Sequence, residues 1–181
     1  MKSSIRSNNI SFENGDLLIF KATAIQWNLF LWVIWLATFS RYNHVAIVVK
    51  KPNGLYFLES AIGGSNLIPI EALEEYQGEI WIRKLQHRSK ELQFRFSSLI
   101  SDYDKRDYPG FFELFKRVVL RMQPHQHRTT SFHCAELIAT ILKKLGLLSP
   151  DLKTYSCKPC EFFEDNNSYI EQFWSRPLKI R

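Results

Sequence analysis

Apolar and polar positions alternate between two periods along the chain, and each period predicts its own elements. Leu17–Lys21 is a short apolar run behind the turn residues Asn14-Gly15-Asp16, which reads as a buried strand. Asn43-His44-Val45-Ala46-Ile47-Val48-Val49 is a second apolar run, a strand over His44–Lys50. Pro and Asn-Gly chemistry at Lys51-Pro52-Asn53-Gly54 predicts a hairpin turn, and Leu55–Ser60 is the returning strand. Gly63-Gly64-Ser65 breaks the chain, Asn66–Ile70 reads as a further strand, and a short helix starts in Pro69–Tyr76. Glu79–Leu85 alternates like a half-buried strand.

Helical spacing takes over afterwards. Ser89–Asp102 carries Leu92, Phe96, Leu99 and Ile100 on one side. Asp107-Tyr108-Pro109-Gly110 is a turn, Phe111–Met122 a helix, and Gln123–Thr130 a polar loop with histidines. A helix opens at Cys134 and runs to Leu145, where Gly146 supplies a left-handed cap. A last helix is expected over Cys160–Asn166 or Tyr169–Trp174. The pattern predicts an α+β fold, a small and mainly antiparallel sheet or half-barrel packed against the helix carrying the cysteine. With no repeat and no long linker, 1–181 reads as a single domain, its core at about 12–147 and 148–181 a C-terminal extension.

The segment Trp27–Phe39 complicates this. It predicts a helix over about Gln26–Phe39 that is apolar around most of its circumference, interrupted early by Asn28. It falls short of the roughly 20 residues that span a bilayer. Trp27, Trp32 and Trp35 suit an interfacial position, so the expectation is an exposed patch for a membrane surface or a protein partner, with burial in the core as the competing outcome.

Composition narrows the classes. Hydrophobic residues make up 45% of the chain, which excludes a disordered tail. The net charge of +6 is scattered, apart from Arg117–Arg128 and Arg176–Arg181, so no nucleic-acid partner is expected. Three cysteines behind an N-terminus without the apolar core of a signal peptide predict an intracellular reducing compartment.

Two residues suit catalysis. Cys134 stands in the first turn of its helix, where the macrodipole favours a thiolate, and His44 is an imidazole on a strand. Hairpin parity puts Glu59 on the face of His44, opposite Ala46 or Val48, where a carboxylate orients the ring. Alone, each has an ordinary reading: a cysteine on an apolar helix face is usually inert, and a strand histidine is usually a satisfied core or edge residue. Cys157-Lys158-Pro159-Cys160 has metal or redox spacing without a second pair, and His125 and His127 complete a site only if the fold gathers them, so no metal and no cofactor are expected. His133 is expected on the surface, and Gly63-Gly64-Ser65 lacks the lysine of a phosphate loop, leaving a turn near the site.

Asn14-Gly15-Asp16-Leu17-Leu18-Ile19-Phe20, His44-Val45-Ala46-Ile47-Val48, Leu58-Glu59-Ser60-Ala61 and Cys134-Ala135-Glu136-Leu137, in this order, resemble the circularly permuted NlpC-type papain-like family, with its YiiX-like bacterial members and a poxvirus branch. Ala46 stands where the family has glycine, and Ala135 where it has serine. The resemblance spans about residues 12–147 and implies a permuted papain-like fold, with Cys134 as nucleophile, His44 as base, Glu59 as third residue and Tyr108 as an oxyanion helper. It further implies a cysteine hydrolase or acyltransferase working through a thioester on a peptide or lipid, peripheral to a membrane or carried in a virion. A catalytically inactive module of the same fold, serving structure or partner binding, is the alternative.

Overall fold

The computed structural model describes residues 10–22, 40–109, 111–118, 120, 122, 131–164 and 168–181. The helix expected over Gln26–Phe39, with its three tryptophans, and the loop Gln123–Thr130 lie outside the described residues. The strands are β1 (Leu17–Lys21), β2 (Tyr42–Lys51), β3 (Gly54–Ala61), β4 (Gly64–Pro69), β5 (Glu79–Arg83) and β6 (Leu178–Lys179). The helices are α1 (Lys90–Ile100), α2 (Phe111–Val118), α3 (Cys134–Lys144) and α4 (Ser168–Phe173), with 3₁₀ turns at Ile70–Glu74, Thr154–Ser156 and Pro159–Phe162. The strands form one sheet in the order β4-β3-β2-β1-β5-β6, every neighbouring pair antiparallel.

Both faces of the sheet are covered, which is why its central strands read as unbroken apolar runs. Leu17, Ile19, Val45, Ile47, Val49 and Leu58 face the larger core, against Ala135, Leu137, Ile138, Ile141 and Leu142 of α3. Leu18, Phe20, Ala46, Val48, Phe57, Ile80 and Ile82 face a smaller core closed by Leu73 and Ile180. Full burial of one such side chain contributes about 1.5–3 kcal/mol, so the α3 layer holds the sheet chiefly by apolar contact.

Local chemistry sets the element ends. Lys51 pairs with Gly54, making the expected tight hairpin with Gly54 at φ 148. Ser89 caps α1 by accepting from the Leu92 N–H. At the end of α3, Gly146 at φ 78 lets its own N–H reach the Lys143 carbonyl and the Leu147 N–H reach that of Leu142, a complete Schellman motif. The Gly-Asp turn is a structural hook: the Asp16 carboxylate, 0% exposed, accepts from Lys84, Arg88 and the N–H groups of Leu85 and Glu13, while the Gly15 carbonyl accepts from the Trp174 indole.

The turn expected at Gly63-Gly64 joins β3 to β4, with both glycines at positive φ. The tail differs from the sequence reading in two ways. Both candidate segments of the tail are helical, Pro159–Phe162 as a 3₁₀ turn and Ser168–Phe173 as α4. Residues 148–181 also complete the sheet: β6 pairs with β5, Phe162, Ile170 and Trp174 enter the larger core, and buried Arg83 donates to the carbonyls of Phe162 and Ser175.

Candidate active site

The site forms where two strands stop pairing. The β2–β3 ladder runs from Lys51↔Gly54 to Ile47↔Leu58. Past that point β2 continues against β1, and β3 against β4. His44 and Glu59 lie on the two arms beyond the last pair. The β1–β2 register also shifts between Phe20 and Lys21, which face His44 and Tyr42 and leave Asn43 without a partner. Its side-chain oxygen instead accepts from the Ala22 N–H at 3.1 Å. An irregularity of this kind adds local twist to the strand, next to His44.

The expected parity of the hairpin holds, and the His44 Nε2 and Glu59 Oε2 are 2.6 Å apart. Each side chain keeps less than a fifth of its exposure. Phe20 closes the far side of the imidazole at a ring separation of 5.3 Å, and Tyr76 packs edge-on against Phe20.

Cys134 approaches from the other layer. By alternation His44 shares its face with Ala46 and Val48, whereas α3 covers the opposite face, so an intact ladder would separate the two residues. Beyond the end of the ladder they come within electrostatic reach of each other. The Ser60 hydroxyl donates to the Phe132 carbonyl at 2.5 Å, tying the entrance of α3 to the β3 arm. His133 is the N-cap and Cys134 the first helical residue.

The electrostatics follow. Burial pushes the Cys134 thiol up, but the charge and hydrogen bonds of His44 and His133 outweigh it and bring the thiol down from 9.0 to about 6. Burial alone would lower His44, yet the Cys134 thiolate and the Glu59 carboxylate raise it from 6.5 to about 10. Glu59 is held below the usual carboxylate range, burial being overcome by His44. Both shifts act in the direction that favours a thiolate–imidazolium pair. With Nε2 on Glu59, Nδ1 is the nitrogen left for the sulfur.

Tyr108, on the loop before α2, lies close enough to Cys134 to feel its charge; burial first and the thiolate second hold its phenol well above the usual range, so it stays a donor. The start of β4 positions that loop: Ser65 donates through its hydroxyl to the Tyr103 carbonyl and accepts from the Arg106 N–H. A Cβ at Gly64 would stand 2.5 Å from the Arg106 carbonyl. Glu59 thus touches His44, and Cys134 lies within electrostatic reach of His44 and of Tyr108.

His133 was expected on the surface and is instead 3% exposed, with its Nε2 3.2 Å from the Tyr155 carbonyl. Its signal in the sequence was position: it immediately precedes the first helical residue, where the cap must stand. Cys157 and Cys160 are buried free thiols, and burial pushes Cys157 up to about 12 and raises Cys160. Among the described residues no three His, Cys, Asp or Glu gather as metal ligands.

Among solved structures the chain is similar to that of the metalloprotein YiiX from Escherichia coli O157:H7, a DUF1105 protein, with a TM-score of 0.60 over 94% of this chain and 97% of that one at 15% identity. The chain thus has a YiiX-like fold. No family model and no curated protein matches the sequence.

Proposed function

We propose that the chain is a permuted papain-like cysteine hydrolase or acyltransferase of NlpC type, acting on an amide or ester bond of a peptide or lipid. The observation that carries this is the His44 Nε2–Glu59 Oε2 contact at 2.6 Å, set beside a Cys134 that opens α3. The Cys134 thiolate attacks the substrate carbonyl carbon, and the electron pair moves onto the oxygen. The Cys134 backbone N–H and the Tyr108 hydroxyl stabilise that oxyanion. His44 gives its proton to the leaving amine or alcohol as the carbonyl re-forms, producing a thioester on Cys134. Neutral His44 then takes a proton from water or an acceptor nucleophile, which attacks the thioester and returns the sulfur as thiolate and His44 as imidazolium. Glu59 holds the ring and balances its charge throughout.

The test combines labelling and turnover. Iodoacetamide at neutral pH should modify Cys134 first, and hydrolysis of peptide and thioester or ester model substrates should vanish in Cys134→Ala and His44→Ala. Selective labelling without turnover of any substrate by the folded chain would favour the inactive module instead. Unselective labelling would remove the thiolate premise altogether.

A further inference from the structure

Glu59 holds His44 at one corner, 2.6 Å from Nε2, and one hydrogen bond at one corner does not fix an imidazole. The χ2 torsion of histidine is broad, so a ring tethered at Nε2 still swings about the line from Cβ to Nε2. That swing carries Nδ1, the corner left for the sulfur. Whatever stops it has to press on the ring itself. The β1–β2 register supplies such a group: Phe20 is the partner of His44, and directly opposite residues bring their Cβ atoms to about 4.5–5.5 Å on one face of a sheet. The two ring centroids are 5.3 Å apart, with the planes tilted by 51°.

Phe20 is itself held from behind. It is 3% exposed, with the Phe57 ring at 6.3 Å and the Tyr76 ring edge-on at 5.0 Å and 77°. Tyr76 can stand there because residue 78 has no side chain. A Cβ at Gly78 would lie 2.5 Å from Tyr76 Cε1, 2.9 Å from its Cζ and 2.5 Å from the Lys21 carbonyl oxygen. The segment between the Ile70–Glu74 turn and β5 therefore backs a ring of β1, and that ring backs the imidazole of β2. Phe20 carries no polar atom, so it takes no proton from the site and acts by shape alone.

We propose that Phe20 is a positioning residue for His44: braced by Tyr76 over Gly78, its ring sets the plane of the imidazole, while Glu59 sets the place of Nε2. The two constraints together hold Nδ1 for the Cys134 sulfur. The inference rests on His44 being the base of the proposed reaction.

The test is steady-state hydrolysis of p-nitrophenyl acetate by the full chain. Phe20→Leu keeps the position apolar and removes the ring; it should lower kcat by about 10²-fold with KM unchanged, the size of effect that a misplaced reacting group has. Ile82→Val trims the same core on β5, two strands from His44, and should keep the wild-type kcat. Tyr76→Leu should lower kcat by a smaller factor than Phe20→Leu, and Tyr76→Phe, which keeps the ring edge, should restore it. The Tyr76 pair decides the matter where Phe20→Leu fails to fold. An unchanged kcat in Phe20→Leu, an equal fall in Ile82→Val, or a Tyr76→Phe as slow as Tyr76→Leu overturns the role of Phe20 and leaves the cysteine reaction standing. Hydrolysis that Cys134→Ala carries out as fast as the wild type overturns the proposed function and this inference with it.

Discussion

Cys134 and Cys157 are buried almost equally, 7% and 5% exposed, yet the first is acidified to about 6 while the second is pushed up to about 12. Burial works against the thiolate at both. The difference lies in the partners: Cys134 opens a helix and has two imidazoles in reach, whereas Cys157 has the carboxylates of Glu161 and Glu136 raising it against a single lowering charge on Lys143. Depth alone therefore says little about the reactivity of a cysteine. The same contrast separates the carboxylates, for Asp16 is saturated by donors that pin a turn, while Glu59 serves one imidazole at 2.6 Å.

The contrast can be broken most severely at Glu59. Glu59→Gln keeps the shape and removes the charge, and turnover of a model substrate should fall by about 10⁴-fold, the size of such a change in an acyl-transfer triad. The pH profile gives the sign. Activity should rise as Cys134 ionises near pH 6 and fall as His44 loses its proton near pH 10. The variant should draw the upper limb to lower pH, and an unmoved upper limb would deny Glu59 its role. Stability follows the same group: because Glu59 is held low in the fold, its contribution is present above the ordinary carboxylate value and is lost as pH falls through the folded value. Acid unfolding of Glu59→Gln should accordingly lack that part of the wild-type pH dependence.

Arg117→Leu attacks the frame around Cys134 and leaves that around Cys160 intact. It strands the buried Glu136 carboxylate, and should cost about 3–5 kcal/mol in chemical denaturation. A loss under 1 kcal/mol would show that Glu136 finds another partner.

Alkylation of the wild type sharpens the contrast directly. At pH 7 the thiolate fraction of Cys134 should exceed that of Cys157 by about 10⁵-fold, and the weaker nucleophilicity of the more acidic thiol returns about three of those decades. The expected preference is about a hundredfold, read as initial rates by peptide mapping. Equal rates would mean that the two environments do not differ in solution.

The smallest effect is at Ser60. Ser60→Ala removes the donor to the Phe132 carbonyl and should cost about 1 kcal/mol, with Cys134 labelling slowed in proportion to the loosened entrance of α3. Stability falling while labelling stays at the wild-type rate would assign Ser60 to the fold alone.

What the chain determined by itself is what neighbours along it decide. The Pro52–Gly54 turn sets the parity that puts Glu59 on the face of His44, Gly146 ends α3 because its φ of 78 suits glycine, and Cys134 begins a helix because apolar spacing starts there. Side-chain alternation and helix capping are short-range rules, so these features were legible. Tertiary structure decided the rest. Whether His44 and Cys134 could come together depended on where the β2–β3 ladder ends, at Ile47↔Leu58, and on the chain segment that brings the start of α3 to that point. The burial of His133 depended on the Thr154–Ser156 turn closing over it, and the Arg117–Glu136 pair on a side chain of α2 reaching the start of α3. Periodicity along a strand or helix reports which face a residue occupies; what covers that face comes from chain segments far away, and no local pattern carries that information.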